Sequence, residues 1–154
     1  MNMNINKNTI ADIRQFNRFY TNILGLFDKH ILDTGYSFTE ARVLLEIGLL
    51  EQCIANNLVD KLKIDRSYMS RIIAKLSKDG LVIKENSTLD SRTSLIRLTP
   101  KGITIFNQIN EKSNEQVMNL FRGLSEKEIK EIHASMMFIQ KKLDSLEGLQ
   151  DDTI

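Results

Sequence analysis

Asp65-Arg-Ser-Tyr-Met-Ser-Arg-Ile-Ile-Ala-Lys-Leu-Ser-Lys-Asp-Gly80 runs directly into Leu81-Val-Ile-Lys-Glu85. After the mostly polar stretch 86–93 comes Ser94-Leu-Ile-Arg-Leu98. The period of the apolar positions changes inside this segment. Met69, Ile72, Ile73 and Leu76 follow i, i+3, i+4, i+7, which is one face of a helix. Asp65 suits its N-cap, and Gly80 stops it. Leu81–Glu85 and Ser94–Leu98 then alternate with a period of two, as hairpin strands do. The tip between them is longer than a tight turn needs.

Outward from this segment the chain reads as helices. Ile54–Leu62 predicts a short helix buried through Ile54, Leu58 and Leu62, with Glu51–Cys53 a plain connection before it. Ser37-Phe-Thr-Glu40 is a capping box and predicts a helix to about Leu50. Residues 10–31 carry Ile10, Ile13, Phe16, Phe19, Tyr20, Ile23, Leu24, Phe27 and Ile31 at spacings of mostly three and four. They predict one long amphipathic helix, ended at Asp33-Thr-Gly35. Downstream, Thr99-Pro100 places a cap before a proline at the first helical position and opens a fifth helix, which Gly123 breaks. Ser125-Glu-Lys-Glu128 is a second capping box. After it, Ile129, Ile132, Met136, Ile139, Leu143 and Leu146 form a heptad seam, with fraying expected from Gly148. The expected fold is mainly α with a small β-hairpin wing. It is read as a single domain, 1–154: a winged helix-turn-helix lobe over 37–98, with dimerisation helices over 10–33 and 100–146.

The formal net charge of +1 conceals an asymmetry. Residues 61–101 hold ten basic and four acidic side chains, a local +6 that leaves −5 for the rest. A basic middle between acidic ends points to a polyanion partner. A solvated basic surface is the competing reading, and spacing decides between them. The face of the fourth helix opposite its apolar stripe holds Arg66, Ser67, Ser70, Arg71, Ala74, Lys75 and Lys78. It has no acid before Asp79. Enzyme chemistry has no footing. There is no phosphate-binding glycine loop, no nucleophile elbow, and too few histidines and cysteines for a zinc site. Neither cofactor nor metal is expected. No apolar run approaches the ~20 residues of a membrane span, and a single cysteine suits a reducing compartment, so a cytoplasmic chain without membrane contact is expected. Cys53 reads as a small buried or half-buried thiol. His30 and His133 are candidate ligands or pH sensors; His133 flanks the heptad seam and reads better as an interface residue.

Asp90-Ser-Arg92-Thr-Ser-Leu-Ile-Arg-Leu98-Thr-Pro-Lys-Gly102 resembles the wing signature of the MarR family of transcriptional regulators: Asp-x-Arg, a strand, Leu-Thr and a helix-opening glycine. Ile64-Asp-Arg-Ser-Tyr-Met-Ser-Arg-Ile-Ile73 is similar to the family's recognition helix, and Lys78-Asp-Gly-Leu-Val82 to its exit. The resemblance covers about residues 10–146. Phe16-Asn-Arg-Phe-Tyr-Thr21, Phe38-Thr-Glu-Ala-Arg-Val43 and Ser67-Tyr-Met-Ser-Arg71 also resemble the MarR-like half of regulators fused to a GNAT acetyltransferase. These 154 residues leave no room for that enzyme, so no acetyl-CoA chemistry is expected.

The resemblance implies a homodimer that binds a short inverted repeat of double-stranded DNA and usually represses. It also implies release by a small, often aromatic, effector entering a cleft beside the dimer helices. The residues themselves support the dimer, because an exposed heptad seam is costly in water. Arg66, Ser67, Tyr68, Ser70 and Arg71 are the expected groove-facing residues, and Lys75 and Lys78 the expected phosphate contacts. Arg92 is the expected wing-tip wedge in the minor groove, oriented by Asp90. Tyr68 has two readings, contact with a sugar or thymine methyl or a shield over the core. Asn56 and Asn57 are weaker phosphate candidates. The competing function is a winged helix that docks on a protein, such as a separate enzyme. Such a module needs neither an arginine-bearing face free of acids nor an arginine at the wing tip.

Overall fold

Met69, Ile72, Ile73 and Leu76 are all buried in the computed structural model, which describes residues 4–31, 34–86 and 93–151. They fix the rotation of α4 (Arg66–Lys78) against α2 (Phe38–Leu49) and α3 (Ala55–Leu62). Leu44 and Val43 of α2, Leu58 of α3, and Leu81 and Val82 at the exit of α4 join them in the core. Each of these side chains, fully withdrawn from water, contributes roughly 1.5–3 kcal/mol before the entropy of ordering is counted. Strands β1 (Val82–Asn86) and β2 (Ser94–Leu98) pair antiparallel, with Val82 opposite Leu98 and Asn86 opposite Ser94. The first strand therefore starts one residue later than the alternation suggests. Leu81 instead donates its N–H to the Leu76 carbonyl, closing the end of α4.

Both capping boxes form. Ser37 Oγ accepts from the Glu40 N–H while Glu40 Oε1 accepts from the Ser37 N–H. Ser125 and Glu128 repeat the arrangement at the start of α6 (Glu126–Asp151). Gly35 takes the expected left-handed conformation, φ +83°. The turn between α3 and α4 holds a left-handed residue that is not glycine, Lys63 at φ +54°.

Four expectations need correction. The long first helix, α1, spans Lys7–Ile31 and so begins a turn before Ile10. Asn6 caps it by accepting from the Thr9 N–H and hydroxyl. Ile54 precedes α3 and is half-buried rather than core. Cys53 is more than a connection: its carbonyl accepts from the Ile96 N–H at 2.7 Å, adding a one-residue bridge to the edge of β2. The backbone from Gly148 stays helical to Asp151 instead of fraying.

The chain divides into two compact units, Met1–Asn114 and Glu115–Ile154, with the boundary inside α5 (Pro100–Phe121). Within the first unit, α1 leaves Ile13, Phe16 and Phe19 about half exposed or more. Within the second, α6 leaves Phe138, Ile139, Leu143 and Leu146 similarly open, with Ile132 and Met136 half-buried. No helix among the described residues is long and apolar enough to cross a membrane.

Candidate nucleic-acid interface

Because the inner stripe of α4 is locked in the core, the helix's remaining positions must face water. Arg66, Ser67, Ser70, Arg71, Ala74, Lys75 and Lys78 are all exposed. Asp65 starts the helix by accepting from the Tyr68 N–H at 3.2 Å. Tyr68 is 41% exposed. Its ring lies under the Arg71 guanidinium, 5.5 Å from centroid to carbon. Such a cation–π contact at an exposed site contributes about 0.5–1 kcal/mol and restricts the arginine's rotamers. Arg71 thus stands on the exposed face of the first half of α4 with its guanidinium against the Tyr68 ring.

The two lysines differ. Lys78 has no ion pair among the described residues, nor does Arg66. Lys75 is engaged: its Nζ lies 2.7 Å from Glu40 Oε2 and 5.4 Å from the centre of the Tyr36 ring. Tyr36 in turn donates its hydroxyl to Asp79 at 3.0 Å. Burial, then the hydrogen bond and charge of Asp79, push the Tyr36 pKa up to about 12, so it keeps the proton it donates. Burial alone would raise the Glu40 pKa. The hydrogen bonds from Lys75 and Ser37 outweigh it and hold the carboxyl below its ordinary value. The face that is free of acids in sequence is therefore not so in space, since Glu40 arrives from α2. Nothing in the sequence flags a pair separated by this much chain. Lys61 is likewise tied to Glu46, at 3.0 Å, and Arg97 to Glu85 across the hairpin. Asn57 turns its side-chain oxygen back to the Ile54 N–H and serves as a helix cap.

The root of the wing is set by Thr99. Its N–H donates to the Leu81 carbonyl, its hydroxyl donates to the Gly80 carbonyl at 2.6 Å, and the same oxygen accepts from the Gly102 N–H. Lys101 adds a bond from Nζ to the Asp79 carbonyl. The stretch Thr99–Gly102 thus fastens the end of the hairpin to the exit of α4. This fixes where the wing leaves the lobe relative to the outer face of α4. Asp90 and Arg92 lie outside the described residues.

Cys53 is buried, and its thiol pKa is pushed up to about 11 by burial and by the nearby Glu46 charge. A thiol held protonated at neutral pH is a poor nucleophile. Native protein at pH 8 is expected to resist iodoacetamide for hours, with full labelling only after unfolding. Rapid stoichiometric labelling of folded protein would contradict the burial. Among the described residues no group of three or more His, Cys, Asp or Glu is placed to hold a metal.

A family model described as MarR family matches residues 34–93, which span the lobe from the start of α2 to the wing. The chain is 28% identical over 122 residues to the HTH-type transcriptional regulator MgrA of Staphylococcus aureus, covering 78% of this chain and 76% of that one. The chain spans 48% of the length of the HTH-type transcriptional repressor IacR of Pseudomonas putida and 89% of that of the HTH-type transcriptional regulator BilQ of Clostridium symbiosum. A MarR family protein from Bacillus stearothermophilus superposes with a TM-score of 0.80 at 17% identity, covering 91% of this chain and 99% of the other. A MarR family transcriptional regulator from Listeria monocytogenes, solved with 26mer DNA, superposes with a TM-score of 0.70 at 23% identity, over 85% and 87%. At these identities the superpositions speak to the fold alone.

Proposed function

We propose, from the premise that the chain belongs to the MarR family, that it is a transcriptional regulator which binds double-stranded DNA as a homodimer. In this reading α4 enters the major groove and the β1–β2 wing lies on the adjacent minor groove or backbone. The observation that carries it is the outward row Arg66, Ser67, Ser70 and Arg71, with Arg71 propped on Tyr68, on a helix whose opposite stripe is immobilised in the core. Arg92, with Asp90 to orient it, is the proposed wing contact. The exposed apolar residues along α1 and, separately, along α6 support a dimer, because monomers seldom leave such apolar stripes in water. Two-fold symmetry makes the operator an inverted repeat, and the regulator a repressor where that site overlaps a promoter. Release by a small molecule completes the proposal; among the structural neighbours, the DNA binding of Bordetella bronchiseptica BpsR is regulated by 6-hydroxynicotinic acid.

Arg71 and Lys78 test the reading as a pair. Each subunit offers about three cations to phosphates, so a dimer should show a log–log salt slope near −5 on any duplex. Arg71→Ala is expected to cost roughly 1–3 kcal/mol on the preferred site and little on random duplex, lowering the specificity ratio. Lys78→Ala should weaken both together and flatten the slope by about 1.8 per dimer. The measurement is fluorescence anisotropy across salt with both duplexes. If the two variants behave alike, α4 is not the reading helix and docking on a protein becomes the better account.

A further inference from the structure

Lys75 lies on the exposed face of α4, yet its ammonium sits 2.7 Å from the Glu40 carboxylate of α2. The Glu40 side chain is 13% exposed and the Lys75 side chain 48%, so the acid is set into the lobe and the base reaches out to it. Glu40 is not free to turn away. Its other oxygen, Oε1, closes the capping box on the Ser37 N–H at 2.9 Å. The Tyr36 ring backs the ammonium, and the Tyr36 hydroxyl is itself fixed on Asp79. Lys75 is therefore seated on a carboxylate and a ring face that the fold holds in place.

A neutral pair releases no counterions, and it places a carboxylate at the edge of the proposed DNA-facing surface. We infer that Glu40 is an affinity-limiting residue, which withholds Lys75 from the phosphate backbone so that α4 binds duplex with one cation fewer per subunit than its sequence offers. This rests on the proposal that α4 faces DNA. Phosphate contacts strengthen all sequences equally, so silencing one lowers specific and non-specific binding together and leaves the ratio set by the base-reading Arg71 unchanged. The seat also ties α4 to the segment Tyr36–Glu40, so any movement of that segment would change how many cations the helix presents.

Glu40→Gln separates charge from structure, because glutamine at this position still closes a capping box. The probes are a random duplex and a selected site, titrated from about 50 to 200 mM salt. E40Q should bind random duplex roughly five- to tenfold more tightly at the low-salt end, with a slope steeper by about 1.8 per dimer. That advantage should be gone by the high-salt end, since a slope difference of about 1.8 over this range amounts to about tenfold. The double variant, Glu40→Gln with Lys75→Gln, should return to the wild-type slope, since a neutral pair is replaced by neutral residues. If Lys75 already meets phosphate in the wild type, the double variant will instead flatten the slope by about 1.8, and the inference is overturned. An unchanged slope in folded E40Q overturns it as well. Absence of duplex binding by wild type and E40Q alike at 50 mM salt overturns the DNA reading itself, and the inference with it.

Discussion

Gly102→Ala is expected to lower the unfolding free energy by about 3 kcal/mol, a fall of roughly 6–12 °C in Tm for a chain of this size. A Cβ at Gly102 would stand 2.0 Å from the Leu81 carbonyl oxygen and 3.0 Å from its carbon. Both are backbone atoms, so no change of rotamer can relieve the clash. Either α5 or the exit of α4 must move, and Thr99 joins the two through three hydrogen bonds. The displacement would swing the root of the wing away from the outer face of α4, so on the proposed reading DNA affinity should fall further than stability alone accounts for. Gly25→Ala is the control. It lies within α1 with nothing within 4 Å of an added Cβ, and should stabilise the helix by up to ~1 kcal/mol. Calorimetry on both variants checks the pair. An unchanged Tm for G102A would mean that α5 does not seat on Leu81.

Ile139→Lys is expected to convert a micromolar dimer into a monomer and to weaken binding to a two-half-site duplex by a factor on the order of 10²–10⁴, the loss of avidity when half-sites are no longer linked. Ile139 sits in the middle of the seam and is 46% exposed within one chain. In a monomer a lysine there would reach water and cost well under ~1 kcal/mol. In an apolar interface it would be an unpaired charge removed from water, which is far more costly. Sedimentation at matched concentrations, with a thermal melt of the monomer, separates the cases. A wild-type chain that sediments as a monomer, or an I139K chain that remains a dimer, would remove the basis for the two-fold operator.

The parts of this molecule that were legible in sequence are those with a period or a local chemical rule. The stripe from Met69 to Leu76, the boxes at Ser37 and Ser125, and the Thr99-Pro100 start each involve neighbours a few residues apart, where steric and hydrogen-bonding preferences act directly. The start of α1 was hidden because its first turn, Lys7-Asn-Thr9, carries no apolar signal and depends on the Asn6 cap. The Cys53–Ile96 bridge was hidden because one residue has no alternation to read. The outward residues of α4 followed from its inward stripe. The seat of Lys75 did not, since Glu40 reaches it only through the packing of α2 on α4. Charge counted along the chain treats Lys75 and Lys78 as equals, and the fold separates them.

Whether this chain reads a two-fold DNA sequence through α4 is tested by repeated selection of bound molecules from a random duplex library. Convergence is expected on an inverted repeat with half-sites ~10 base pairs apart, centre to centre, the spacing at which two recognition helices meet successive turns of one groove. Arg71→Ala should blur the consensus within each half-site while leaving the spacing intact. A folded, dimeric protein that enriches no sequence, or one that enriches a site without dyad symmetry, would contradict that reading.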